Sequence, residues 1–173
     1  VAGTSRVGGI VGDFQGKSGA NLILTNCTNK GKIEGTDVNV GGISGSASYV
    51  SISDSVNEGD ITTKHTTVGG ITGSISNSST INGCTNTGNI VASTVGANPK
   101  SSQTTAGGIA GSVSSTTISS NTNKGTVTAY KNTGGIVGYL SSGTVSANTN
   151  EGEVRHVQTN NNGLIVGYNS GGT

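Results

Sequence analysis

The stretch "TGGIVGYLSSGTVSANTNEGEV", residues 133–154, sets Ile136, Val145 and Val154 nine residues apart, and nearly everything between them is Gly, Ser, Thr, Asn or charged. Nine residues suit a short strand plus a turn. The anchors are mostly β-branched and their neighbours alternate with small polar residues, a pattern that favours strand over helix. Glycine at this density also argues against helix, since each interior Gly costs roughly 0.5–1 kcal/mol relative to Ala.

The same pattern recurs along the whole chain. A string x-Gly-Gly-Ile-x-Gly appears as "VGGIVG" (7–12), "VGGISG" (40–45), "VGGITG" (68–73), "AGGIAG" (106–111) and "TGGIVG" (133–138), with a degraded copy "NGLIVG" at 162–167. Each of the first five is answered by Asn-x-Gly-x-Ile/Val: "NKGKI" (29–33), "NEGDI" (57–61), "NTGNI" (86–90), "NKGTV" (123–127) and "NEGEV" (150–154). A further aliphatic residue stands five positions before each of those Asn, namely Leu24, Ile52, Ile81, Ile118 and Val145. Spacings of nine or ten give a repeat near 27 residues, interrupted by insertions at 13–23 and 91–106.

Three strands that each bury one large side chain cannot form a core alone. Stacked on the next repeat at about 4.8 Å, their anchors become continuous aliphatic columns. The pattern therefore predicts one domain over residues 1–173, a three-sided parallel β-solenoid with five full rungs and a partial sixth. Right-handed coiling is expected, because parallel crossovers prefer that hand. The chain starts almost at once with a repeat and stops within one, so it reads as a segment of a longer polypeptide.

Stacking predicts what the other recurrent residues do. Asn29, Asn57, Asn86, Asn123 and Asn150 form a structural ladder at a corner, amide over amide. The Gly two residues after each (Gly31, Gly59, Gly88, Gly125, Gly152) suits a corner with positive φ. Cys27 and Cys84 share a column with Ser55 between them, about 9–10 Å apart at the strand spacing. That exceeds the roughly 7 Å Cα limit for a disulfide, so both are expected to be free thiols. Lys30 should pair with Glu58, Lys32 with Asp60 and Lys124 with Glu151 across neighbouring rungs.

Composition narrows the function classes. With 29% hydrophobic residues and 3% aromatic, a conventional globular core would be marginal, yet a net charge of +1 and a single Pro do not fit disorder. A near-neutral chain without a basic cluster offers no electrostatic footprint for nucleic acid. No apolar run is long enough to span a membrane. His65 and His156 have no acidic or Cys partner at metal-ligand spacing, so no metal or cofactor is expected. Asp13, Glu34, Asp37, Asp54, Asp60 and Glu153 are scattered, which argues against the carboxylate groove of a polysaccharide lyase or hydrolase. Two features remain as candidate contacts. Tyr139 and Tyr168 occupy the same repeat position in adjacent rungs and could form a carbohydrate platform, with Phe14 and Tyr49 near the equivalent corner. The insertion 91–106, with Pro99, is long and unconstrained by the repeat.

The strings "VGGIVG" to "TGGIVG", with "CTNKGKI", "VNEGDI", "CTNTGNI", "NTNKGTV" and "NTNEGEV", resemble the GLUG-motif repeats of bacterial surface proteins over almost the whole chain. That family's repeats occur in adhesin-like cell-surface proteins and beside the catalytic domains of IgA-cleaving zinc metallopeptidases. The resemblance implies an extracellular bacterial module: a non-enzymatic adhesin-like stalk or display surface. The other reading is an accessory domain of a secreted peptidase or glycan-active enzyme, binding surface glycans or glycoproteins. The peptidase motif is missing, so no protease activity carries over, and Leu164 replaces the second Gly of the sixth copy.

Overall fold

One coil of the chain contains five short strands: Asn39–Gly41, Ser44–Ser48, Val50–Ser53, Val56–Asn57 and Ile61–Thr63. The next coil repeats them as Thr67–Gly69, Thr72–Ser76, Ser79–Asn82, Thr85–Asn86 and Ile90–Ala92. In the computed structural model, which describes residues 1–36, 38–64, 67–92, 104–157 and 161–173, each strand pairs in parallel with its equivalents in the neighbouring coils. The result is an all-β solenoid of about five turns, with three sheets of six strands and two of five among the described residues. We number the sheets from first to fifth in the order of the strands just given.

The expected register is present residue for residue. Ile61 lies between Ile33 and Ile90, Ile81 between Ile52 and Ile118, and Asn57 between Asn29 and Asn86. The strand count per coil differs from expectation, because corners break the nine-residue sides into five strands rather than three. Two columns of left-handed backbone make many of these corners. One contains Asn26, Asp54, Gly83, Ser120 and Ala147, and the other contains Tyr49, Ser78 and Ser115. Asn, Asp and Gly tolerate positive φ better than Ala does, so Ala147 at φ 53° is the costliest member of the first column.

The anchors do not share one core. The first and second anchors, with Ile43, Ile52, Ile71 and Ile81 among them, form one buried cluster with Cys84 and Leu140. The third anchors Ile33, Ile61, Ile90 and Val127 form another with Val7, Val40 and Val68. Burying each of these side chains stabilises the fold by roughly 1.5–3 kcal/mol before chain entropy is counted. Coverage requires a coil on both sides: Ile43, Ile71, Ile109 and Ile136 are fully buried, whereas Ile10 is 47% and Ile165 37% exposed.

What divides the two clusters is the asparagine column. A Cβ added to Gly70 or Gly108 would collide with the side chain of Asn86 or Asn123 across the coil. The Asn side chains thus lie inside, against the second Gly of each Gly-Gly pair, and not at an outer corner. The Gly after each Asn is also explained differently from expectation. Gly59, Gly88, Gly125 and Gly152 have no positive φ; each lies over the carbonyl oxygen of its counterpart one coil earlier, where a Cβ has no room.

The corner insertions are narrower than the sequence suggests. Asp13, Phe14 and Gln15 stay in register with Ser46, Ala47 and Ser48, and Leu22 pairs with Val50. Only residues 16–21 stand outside the ladder, where Lys17 and Ala20 bridge antiparallel. Val91 and Ala92 likewise pair with Thr62 and Thr63, and Thr105 and Ala106 with Thr67 and Val68. Residues 93–103, including Pro99, lie outside the described residues, as do His65 and Asp37.

Candidate functional site

The asparagine ladder is the most regular side-chain array in the molecule. Each amide donates to the next along the axis, Asn29 to Asn57 at 2.7 Å and then Asn57 to Asn86, Asn86 to Asn123 and Asn123 to Asn150 at 2.8 Å. The second N–H of each donates to the carbonyl of the Gly two residues on, at 2.8–2.9 Å. Asn57, Asn86 and Asn123 are fully buried. Every polar atom of those three is used within the column, which makes it a structural spine with no vacancy for chemistry.

Cys27 and Cys84 are both free, with Ser55 between them in the column. Burial pushes the Cys84 thiol up to about 11 and keeps it protonated at neutral pH. Two of the expected ion pairs form, Lys30–Glu58 and Lys124–Glu151, both at 3.7 Å. The third does not: Lys32 pairs instead with Glu34, two residues on, at 2.9 Å. The hydrogen bond from Lys32 holds the Glu34 carboxyl below its ordinary range. Asp60 instead accepts the backbone N–H of Asn89 at 2.8 Å. His156 is exposed, and among the described residues no group of three or more His, Cys, Asp and Glu side chains could hold a metal ion.

Tyr139 and Tyr168 meet as expected. Their register is direct, and the rings stack with centroids 5.6 Å apart and planes 9° from parallel. The Tyr139 hydroxyl lies 3.1 Å from Ser170 Oγ. Phe14 does not extend this stack: in register it is Asp13, not Phe14, that shares the tyrosine column, and Phe14 packs against the core. Tyr49 occupies a left-handed corner and is likewise outside the column.

The tyrosines form one side of a groove that sequence reasoning did not identify. Its other side is the leading residue of each first-sheet strand, Thr67, Thr105, Asn132 and Asn161, which share a register. These side chains tie to one another, Asn132 donating to Thr105 Oγ1 at 3.3 Å and Asn161 to Asn132 Oδ1 at 3.0 Å. Its volume is about 500 Å³, and Ser112 and Lys131 are also among its lining. A sequence signal existed, since Asn or Thr immediately precedes x-Gly-Gly in three of these copies and x-Gly-Leu in the fourth. A second groove of about 440 Å³ contains Lys32, Asp60 and Arg155 and, among the described residues, no aromatic ring.

Compared with known proteins, the chain matches no family model, no curated protein and no solved structure. The likeness to GLUG-motif repeats therefore rests on the residues quoted for it.

Proposed function

We propose that this chain is a non-enzymatic module of a bacterial surface or secreted protein, an adhesin-like stalk that spaces or displays other parts of the polypeptide. The observation that carries this reading is the unbroken register of the five sheets from coil to coil. Such stacking makes a rigid body about 25 Å long at the strand spacing, with length set by repeat number. Each coil needs few large apolar residues, which suits a part whose work is reach. The resemblance to GLUG-motif repeats supports the extracellular, bacterial setting.

A second reading is an accessory domain of a secreted peptidase or glycan-active enzyme, binding glycans or glycoproteins. The stacked tyrosines beside a polar groove favour it, because they are the one array of aromatic rings among the described residues. Antibodies raised against the chain test the stalk reading on intact cells of the source organism. Labelling of unbroken cells is the expected result. Antigen found only in culture medium, bound to a catalytic domain, would replace the stalk with the accessory module, and antigen found only inside lysed cells would overturn both.

A further inference from the structure

We infer that the groove beside Tyr139 and Tyr168 binds a linear, uncharged polysaccharide lying along the solenoid axis. This deepens the display reading by naming what the displayed surface holds.

The argument begins with the break in the repeat. In the tyrosine column the successive outward residues are Ser46, Ser74, Ser112, Tyr139 and Tyr168. Tyr139 therefore stands between Tyr168, which stacks on one face of its ring, and Ser112, a side chain too short to cover the other. The groove opens at this step, since both Ser112 and Tyr139 line it. A pyranose ring has an apolar C–H face that packs on an aromatic ring and equatorial hydroxyls that seek hydrogen-bond partners at its edge. Tyr139 supplies the first, and the more accessible wall groups of Thr67 and Asn161 supply the second, held in place by the buried Thr105–Asn132 pair behind them.

Length and charge narrow the ligand. The wall residues Thr67, Thr105, Asn132 and Asn161 belong to four successive coils, three rung intervals or about 14 Å at the strand spacing. That is the reach of a short oligosaccharide and exceeds a single sugar. Among the described residues, the lining contains one cationic side chain, Lys131, and no carboxylate, and its remaining polar groups are neutral. Recognition thus falls to stacking and neutral hydrogen bonds, which match an uncharged chain. The repeating register of the wall matches a repeating ligand.

The test is titration of the whole chain with cellohexaose, mannohexaose, chitohexaose and a galacturonate hexamer, read by calorimetry and by tyrosine fluorescence, which no Trp obscures. At least one uncharged hexamer is expected to bind. Tyr139→Ala and, independently, Ser112→Tyr should each weaken it at least tenfold, about 1.4 kcal/mol. The Ser112→Tyr variant removes no ring and fills the step, so its loss of binding reports the groove itself. Far-UV circular dichroism and the unfolding midpoint keep a folding defect distinct. Absence of binding at low millimolar concentration, binding by the galacturonate hexamer alone, or equal binding by Ser112→Tyr each overturns the inference. The stalk reading stands or falls separately, on cell labelling.

Discussion

Two columns of repeated side chains run along this solenoid, one inside and one outside, and they differ in what repetition does. The asparagine spine spans five coils, is fully buried in the middle three, and has every amide atom of those three paired within the column. The tyrosine stack is two rings long, half-buried at Tyr139 and exposed at Tyr168, and ends at Ser112. Inside, one deviation would strand buried polar atoms in low dielectric, so uniformity is enforced by energy. Outside, water satisfies whatever a substitution leaves unpaired, and the column is free to change. The groove arises where the outer column does change.

The comparison breaks most sharply at the glycines. Gly88→Ala forces a methyl against the Gly59 carbonyl and should cost about 3 kcal/mol in urea unfolding. Gly31→Ala has only Asn29 Oδ1 nearby, at 3.7 Å, and should change stability by less than about 0.5 kcal/mol. Equal costs would mean that stacking is not what demands glycine there.

Removing a middle rung of the spine comes next. Asn86→Ala leaves Asn57 Nδ2 short of one acceptor and Asn123 Oδ1 without a donor, at a cost of about 3 kcal/mol. Asn150→Ala, at a half-buried end of the spine, should cost about 1 kcal/mol in the same measurement.

The buried thiol gives a pH signature. The Cys84 pKa is raised to about 11 from 9.0 on folding, so its contribution is fully present below about pH 9 and is lost as pH rises toward 11. Two pKa units correspond to roughly 2–3 kcal/mol. Cys84→Ala should flatten that alkaline loss, and in the native protein alkylating reagents should modify Cys27, which is partly exposed, well before Cys84. Simultaneous modification would contradict the burial.

Smaller effects sharpen the contrast. Thr133 carries a buried hydroxyl with no partner in a column that holds Val7, Val40 and Val68. Thr133→Val should therefore raise stability by about 1 kcal/mol, measured by the unfolding midpoint. Tyr139→Ala, on the outer column, should lower stability by less than about 1 kcal/mol even though it weakens the proposed binding at least tenfold. A large loss of stability would make the tyrosine pair a structural element.

The anchors, the five asparagines and the shared column of Cys27, Ser55 and Cys84 were all legible as register, since a repeat that must stack carries its alignment in its period. Their depth was not. An amide ladder satisfies its hydrogen bonds equally well at a corner or inside, and only the Gly-Gly pair some fifteen residues earlier makes room for it inside. Lys32 shows the same limit at the surface: both Glu34 and Asp60 were within reach by register, and side-chain geometry chose Glu34.

By itself, the sequence determined the strand class, the stacking, the parallel register and the identity of each column, because all four follow from a period and from which residues can repeat along it. Tertiary structure alone decided how each coil bends into five strands, that the interior is split in two, and that Thr105, Asn132 and Asn161 face Tyr139 across a groove. The physical reason is that the period orders residues along the axis, whereas the corner dihedrals, set by whichever residue tolerates positive φ, order them around it.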